Sequence, residues 1–114
     1  MKKSTIIILG IIIAIIMFLL TMPRAGPYDS FADCISKSGA IMYGTDWCPH
    51  CKAQKKMFGN SFRKINYINC DVEKNKCLVQ GISGYPTWDI GGKKYEGTQP
   101  LEKLSVLTGC SIKK

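Results

Sequence analysis

Two cysteines separated by two residues, Cys48 and Cys51, are the side chains of this sequence best suited to chemistry. A helix is predicted to begin at Pro49, which places both sulfurs on one face of its first turn, where they can form a disulfide with each other. The unpaired N–H groups and partial positive charge of a helix N-terminus stabilise a thiolate. The sequence therefore predicts Cys48 as a catalytic nucleophile and Cys51 as the catalytic resolving thiol.

A metal-binding module is the alternative use of this motif, because it also contains His50. Zinc sites of this type combine two pairs of cysteines that are each about two to four residues apart. The next two cysteines, Cys70 and Cys77, are separated by six residues, so the spacing disfavours metal binding. We predict no metal and no other cofactor. A redox-inert adaptor is disfavoured because both cysteines of the motif are present.

Helices and strands alternate in the predicted secondary structure that positions this motif. The predicted order is a helix over 28–37, a strand over 40–44, a helix over 49–60, a strand over 65–70, a helix over 72–80, a hairpin of strands 87–90 and 93–96, and a helix over 100–108. In the motif helix, the pattern predicts Lys52, Lys55 and Lys56 facing outward and Ala53, Met57 and Phe58 facing inward.

An uncharged apolar segment, residues 4–23, precedes these elements. At about 1.5 Å per residue, its 20 residues span roughly 30 Å, the thickness of a bilayer's hydrocarbon core. We therefore predict a transmembrane signal-anchor over 1–23, a linker over 24–27 and one domain over 28–114. Lys2 and Lys3 precede the segment, whereas Arg24 alone follows it closely, so the N-terminus is expected in the cytoplasm and the domain outside.

A cleaved signal peptide is the alternative for this segment. Its apolar core usually has about 7–15 residues and ends at a small-residue cleavage site. Residues 23–26 provide only a poor site of this kind, so the anchor is favoured. Periplasm, cell exterior and endoplasmic reticulum lumen all agree with the predicted topology.

The net charge of +8 does not indicate a specific partner. Without Lys2 and Lys3, the chain has 14 basic and 8 acidic residues, and the basic ones are spread along it. A nucleic-acid binder typically has a dense basic block or aromatic side chains interleaved with basic ones. We therefore predict a solvated basic surface and no nucleic-acid partner.

Six cysteines in 114 residues suit an oxidising compartment outside the cytoplasm. Four of them lie outside the motif and allow three pairings. We favour structural disulfides between Cys70 and Cys77, which are close in sequence, and between Cys34 and Cys110. Cys34 as a buried free thiol is an alternative, and so is a second dithiol of Cys70 and Cys77 that relays electrons.

The order of elements resembles the thioredoxin fold, an α/β fold with a central mixed sheet flanked by helices. A strand leads into Trp47-Cys48-Pro49-His50-Cys51, and Tyr85-Pro86-Thr87 precedes the hairpin. The resemblance implies that Pro86 is cis and lies against the dithiol, since an X-Pro bond accepts the cis form at low cost. It also implies that Trp47, Tyr85, Pro86 and Thr87 bind the substrate chain, although packing in the core is an equal alternative for Trp47 and Trp88.

Several short motifs resemble more closely the thioredoxin-like domain that is fused to, or works with, bacterial and plant homologues of vitamin K epoxide reductase. They are Phe31-Ala32-Asp33-Cys34, residues 39–44, the Cys48 motif, Met57-Phe58-Gly59, Ile65-Asn66-Tyr67, residues 84–88 and Tyr95-Glu96-Gly97. The resemblance implies oxidation of exported substrate proteins and electron exchange with a quinone-reducing membrane enzyme. The four-helix enzyme is absent from this sequence, so that partner is expected to be a separate polypeptide.

The residues around the motif indicate the direction of electron flow. Pro49 and His50 between the cysteines match strongly oxidising periplasmic members of the fold, and His50 can stabilise the Cys48 thiolate and raise the potential. Met42 occupies the position where reducing thioredoxins have a buried acid. We predict a membrane-anchored, extracytoplasmic thiol-disulfide oxidoreductase that forms or isomerises disulfides. The alternative is a membrane-tethered disulfide reductase, for example of the cytochrome c maturation type.

Overall fold

The computed structural model describes residues 2–112, so the outermost residues of the predicted domain boundaries, 1, 113 and 114, lie outside the described part. Its elements, in order, are α1 (Lys2–Thr21), α2 (Asp29–Lys37), β1 (Ile41–Gly44), α3 (Pro49–Phe58), a 3-10 helix (Gly59–Lys64), β2 (Tyr67–Asn69), α4 (Lys74–Val79), β3 (Thr87–Ile90), β4 (Lys93–Glu96) and α5 (Leu101–Thr108).

The four strands form one mixed sheet in the order β2-β1-β3-β4. β1 is parallel to β2 and antiparallel to β3, and Met42 of β1 lies opposite Tyr67 on one side and Trp88 on the other. β3 and β4 form a hairpin whose turn residues, Gly91 and Gly92, have φ angles of 60° and 84°, which glycine adopts without strain. This arrangement of strands and helices confirms the predicted thioredoxin fold.

A cluster of aromatic and aliphatic side chains fixes α3 against the sheet and α2. The Phe58 ring lies 6.1 Å from the Phe31 ring and 6.3 Å from the Trp88 ring, measured between centroids. All three side chains are fully buried, as are Ile35 and Leu104 on the neighbouring helices. Burial of such side chains is the main favourable contribution to folding, and here it holds the helix that begins at the dithiol.

The buried face of α3 differs from the predicted one. Ala53 and Met57 were expected to face inward, but both are exposed, whereas Cys51, Gln54 and Phe58 are buried at helical spacing. A polar side chain is stable there because Gln54 Oε1 accepts hydrogen bonds from Trp88 Nε1 at 3.0 Å and from the main-chain N–H of Gln99 at 2.7 Å. The prediction failed because the hydrophobic pattern cannot recognise a buried residue that is fully hydrogen-bonded.

The segment after α3 also differs from the prediction. The helix predicted over 49–60 ends at Phe58, because Gly59 has a φ angle of 56° that interrupts it, and a 3-10 helix follows. β2 and α4 are shorter than the predicted 65–70 and 72–80. The other elements agree with the predicted ones within one or two residues at their ends.

The linker between α1 and α2 is packed on the 3-10 helix. The Asn60 side chain donates a hydrogen bond to the Arg24 carbonyl, and Ser61 Oγ accepts one from the main-chain N–H of Tyr28 at 2.7 Å. A Cβ on Gly26 would lie 2.2 Å from the Ser61 main-chain nitrogen, so this approach requires glycine. The chain leaving α1 is therefore held at the end of α3 opposite the dithiol.

α1 is exposed along its whole described length. Its 20 residues are long and apolar enough to cross a membrane, judged by length and composition. This agrees with the predicted membrane segment, while the side of the membrane on which each end lies stays a prediction.

Two disulfides join the four cysteines outside the motif. Cys34 of α2 is bonded to Cys110 after α5, and Cys70 after β2 is bonded to Cys77 of α4. This is the connectivity favoured from the sequence, and Cys34 is therefore not a free thiol. Cys48 and Cys51 are both free and buried, so the structure contains the dithiol form of the motif.

Candidate active site

Cys48 lies at the N-terminus of α3, between the helix and the loop that precedes β3. It has an extended backbone (φ −69°, ψ 124°), and Pro49 is in the first turn, where its missing N–H leaves no partner unsatisfied. The Cys48 thiol donates a hydrogen bond to the Tyr85 carbonyl, with sulfur and oxygen 3.7 Å apart. The Cys48 sulfur is thus held between the start of α3 and the loop before β3.

The surroundings of Cys48 favour its thiolate. Burial alone raises the pKa of this thiol, but hydrogen bonds to the sulfur from the main-chain N–H and thiol of Cys51 and from the main-chain N–H of His50 outweigh burial. The net result is a pKa below that of an ordinary cysteine. A stabilised thiolate is what the sequence predicts at this position, and its role as the catalytic nucleophile stays a prediction.

Cys51 lies one turn deeper and has the opposite character. Its side chain is fully buried, and burial raises its pKa to about 11, although the main-chain N–H of Thr45 donates to its sulfur and opposes the rise. The nearby Cys48 sulfur raises the pKa further. The site therefore combines an outer thiol of lowered pKa with an inner thiol of raised pKa.

Gly44, the last residue of β1, provides the space for the inner thiol. A Cβ at this position would lie 2.8 Å from Cys51 Sγ, closer than real Cβ contacts. The next nearest atoms are Tyr67 Cε2 at 3.4 Å and Met42 Cε at 3.6 Å. The sequence gives no signal for Gly44, because this glycine is required by a contact with the Cys51 side chain and not by a turn.

The loop of Gly84 to Thr87 forms the other wall of the site. The Tyr85–Pro86 peptide bond is cis, as predicted. Pro86 and Thr87 are buried, and the Thr87 hydroxyl donates to the Gly84 carbonyl at 2.7 Å. Thr87 therefore uses its hydroxyl within the loop, whereas the half-buried Tyr85 presents its carbonyl to Cys48.

The two tryptophans have different surroundings. Trp47 is 62% exposed beside the dithiol, with its ring edge-on to Tyr85 at 6.4 Å, and Trp47 Nε1 donates to Asp71 Oδ2 at 2.8 Å. Trp88 is fully buried in the core and bonded to Gln54. Trp47 can therefore contact a bound chain, while Trp88 packs in the core.

His50, which lies between the two cysteines, is exposed. Its main-chain N–H contributes to stabilising the Cys48 thiolate, and its carbonyl accepts a hydrogen bond from Thr98 Oγ1 at 3.1 Å. Tuning of the potential by its imidazole stays a prediction. Over residues 2–112, no group of three or more His, Cys, Asp and Glu side chains is placed to hold a metal ion.

A polar cluster beside the dithiol was missed in the sequence analysis. Lys55, which was expected to face outward, is half-buried and forms an ion pair with Asp46 at 3.0 Å. Tyr67 and Asn69 also donate hydrogen bonds to the Asp46 carboxylate, at 3.1 and 3.0 Å. The sequence signal available was weak, because these residues come from three different segments.

The sheet order, the dithiol at the start of α3 and the cis-proline before β3 agree with the predicted thioredoxin fold. It is similar to the thiol-disulfide oxidoreductase LTO1 of Arabidopsis thaliana, with 37% identity over an alignment of 98 residues that covers 77% of this chain and 26% of that protein. It is also similar to the protein disulfide isomerase-like 2-1 of Oryza sativa subsp. japonica, with 35% identity over 83 residues, covering 60% of this chain and 23% of the relative. The chain thus spans about a quarter of the length of these relatives.

Among solved structures, mitochondrial thioredoxin 3 of Saccharomyces cerevisiae in its oxidised form aligns with a TM-score of 0.47 and 15% identity, covering 69% of this chain and 86% of that one. No protein-family model matches the chain. The names of the sequence relatives agree with the predicted class of enzyme.

Proposed function

We propose that this chain is a membrane-anchored thiol-disulfide oxidoreductase that forms or isomerises disulfides in exported proteins. The observation that carries this proposal is the pairing of an outer thiol of lowered pKa, Cys48, with a buried inner thiol, Cys51, beside a cis-proline loop. The sequence relatives support it, since they are named as a thiol-disulfide oxidoreductase and as protein disulfide isomerases.

The proposed reaction begins with the oxidised enzyme, in which Cys48 and Cys51 are bonded. A substrate thiolate attacks Cys48 Sγ, the Cys48–Cys51 bond breaks, and Cys51 leaves as a thiolate that takes up a proton. A second substrate thiolate then attacks the substrate sulfur of the mixed disulfide, and Cys48 leaves as a thiolate. The substrate loses two electrons, which the Cys48–Cys51 pair gains.

The surroundings of the two thiols support this direction. Stabilising the Cys48 thiolate makes it a better leaving group and stabilises the reduced pair, and both effects favour oxidation of the substrate. The raised pKa of Cys51 favours its proton uptake after it leaves. Trp47 and the Tyr85 carbonyl flank Cys48 and are suited to hold the substrate chain against it.

The electron acceptor and the topology belong to the same proposal. The reduced pair must pass its two electrons onward, and we propose a separate quinone-reducing membrane enzyme of the vitamin K epoxide reductase type as the acceptor.

α1 is proposed to anchor the chain with its N-terminus in the cytoplasm. The domain then lies in the periplasm, at the cell exterior or in the endoplasmic reticulum lumen.

The reduction potential of the Cys48–Cys51 pair tests the proposed direction. The full chain in detergent is equilibrated with glutathione redox buffers and alkylated, and its mass is measured to give the fraction in which the pair is reduced. Cys48→Ser is the control, because it cannot form the Cys48–Cys51 disulfide. We expect a potential well above the value of about −270 mV typical of thioredoxin. A value near about −270 mV would instead support the membrane-tethered reductase, and the absence of any transition in the native chain would refute the proposed activity.

A further inference from the structure

Lys55 occupies a defined position near the buried thiol. It follows Cys51 by one helical turn, so both side chains lie on the same side of α3. Its ammonium is 3.0 Å from Asp46 Oδ1 and 4.1 Å from the centroid of the Tyr67 ring, and its side chain is 26% exposed. Asp46 is itself fixed by Tyr67 and Asn69, so the cation is held from two sides.

The Tyr67 ring lies under this cation and borders the space occupied by the Cys51 sulfur. A Cβ of Gly44 would lie 2.8 Å from Cys51 Sγ and 3.4 Å from Tyr67 Cε2, so both atoms border the bare backbone of β1. Among the described residues, the titratable groups that interact electrostatically with Cys51 are Cys48 and Lys55 of α3 and Tyr67 of β2. Asp46, in the loop before α3, is bonded to both Lys55 and Tyr67. Lys55 is the cation among them.

Met42 of β1 borders the same space and is fully buried, with its Cε 3.6 Å from the position of a Gly44 Cβ. Its thioether has no proton to exchange with Cys51. Burial raises the pKa of Cys51 to about 11, and Lys55 is one of the groups that oppose this rise. A fixed cation in a partly desolvated position acts on a nearby anion more strongly than one in water.

We propose that Lys55, held by Asp46 and Tyr67, stabilises the Cys51 thiolate and thereby accelerates the step in which Cys51 attacks or leaves. This rests on the proposed function. When Cys51 attacks the mixed disulfide, its proton passes to solvent, the Cys48–Cys51 bond forms, and the bond between Cys48 and the substrate sulfur breaks. The substrate leaves with the negative charge, so electrons and atoms balance. Lys55 is a positioning residue that acts through its field on Cys51.

Lys56 provides a matched control for Lys55. Both are lysines of the last turns of α3, but Lys56 is exposed, whereas Lys55 lies over the Tyr67 ring. Replacing either residue by methionine removes one positive charge from the same helix and keeps an unbranched side chain. A general effect of net charge would therefore affect both variants equally.

The experiment follows the reaction of the reduced full chain, in detergent, with dithiodipyridine, an uncharged disulfide. Attack by Cys48 releases the first thiopyridone, and attack by Cys51 on the mixed disulfide releases the second. We expect Lys55→Met to slow the second release roughly fivefold near neutral pH and to move its pH midpoint upward, with the first release unchanged. Lys56→Met is expected to leave both releases unchanged, and Lys55→Arg to restore the second.

Two results would overturn the inference: a second release as fast in Lys55→Met as in the native chain, or one slowed to the same extent by Lys56→Met. A thermal unfolding scan checks the fold of each variant. If Lys55→Met does not fold, the comparison of Lys55→Arg with Lys55→Gln decides in the same way. A native chain that releases no thiopyridone at all would refute the proposed function itself, so the two failures are distinguishable.

Discussion

The two thiols of the site are chemically identical but have opposite surroundings. Cys48 receives N–H groups from the first turn of α3, which lowers its pKa, while Cys51 is buried beneath it, which raises its pKa to about 11. An enzyme that exchanges disulfides needs this difference, because the outer sulfur must react with substrate proteins and the inner sulfur only with the outer one.

Alkylation of the reduced chain as a function of pH tests this difference. The pKa of Cys48 in the folded chain is lower than the ordinary cysteine value of about 8.5. Its thiolate therefore persists at pH values below about 8.5 and is lost only when the pH falls through the lowered pKa. We expect the alkylation rate of Cys48, followed by mass spectrometry, to have its midpoint below about 8.5. Cys51→Ala removes the hydrogen bond that the Cys51 thiol donates to the sulfur and should raise the midpoint. A midpoint at or above about 8.5 in the native chain would contradict the assignment.

Gln54 is a second single residue with a testable role. Replacing it by leucine removes the acceptor of Trp88 Nε1 and of the Gln99 main-chain N–H, leaving two buried donors unsatisfied. We expect Gln54→Leu to lower the free energy of unfolding by about 2–4 kcal/mol, measured by urea unfolding. Gln80→Leu is the control, since Gln80 is exposed and should change stability by less than about 0.5 kcal/mol. Equal effects of both substitutions would show that the buried amide is dispensable.

At the scale of elements, the end of β1 and the start of α3 form one unit. The sheet places Gly44 directly against Cys51, so the inner thiol fits only because the strand ends in a residue without a side chain. The cis-proline loop before β3 closes the same unit from the other side.

Gly44→Ala tests this contact. Because the new Cβ would lie 2.8 Å from Cys51 Sγ, the buried thiol must shift. We therefore expect the Cys48–Cys51 bond to form at least about tenfold more slowly. The rate of the second thiopyridone release measures it. Gly10→Ala is the control, because Gly10 lies in α1, outside the site, and a Cβ there would meet no atom of another element within 4 Å. If both alanine variants closed the bond at the native rate, Gly44 would have no role in placing Cys51.

At the scale of the whole molecule, the two disulfides close loops of very different length. The Cys34–Cys110 bond spans 76 residues and joins α2 to the segment after α5, whereas the Cys70–Cys77 bond spans 7 and closes the turn into α4. Loop-closure entropy rises with loop length, so the long bridge is expected to contribute more to stability.

Paired serine substitutions measure the two contributions. We expect Cys34→Ser with Cys110→Ser to cost about 4.5 kcal/mol and Cys70→Ser with Cys77→Ser about 2.5 kcal/mol in the free energy of unfolding. Disulfide exchange by Cys48 and Cys51 should persist in both double variants at temperatures where they stay folded. Loss of turnover without loss of stability in the Cys70 and Cys77 variant would identify that pair as an electron relay.

The sequence allowed prediction of the order of elements and of the dithiol, because both depend on local patterns. Periodic apolar residues mark the strands and helices, and the Cys48 motif is contiguous. The missed features depend on contacts between distant segments. Gln54 is buried because Trp88 and Gln99 meet it, Lys55 is half-buried because Tyr67 lies beneath it, and the linker is held by Asn60 and Ser61. No local pattern contains these partners.

The docked linker determines how far the dithiol can reach. Only Met22 and Pro23 lie between the end of α1 and Arg24, whose carbonyl is bound by Asn60, so the domain has almost no free tether. α3 has 10 residues and is about 15 Å long, with the linker at one end and Cys48 at the other. With α1 in a bilayer, as proposed, the dithiol would stay at a nearly constant height above the lipid surface. Cysteines at that height, in membrane proteins or in chains still emerging from the membrane, would then be oxidised in preference to those of freely diffusing proteins.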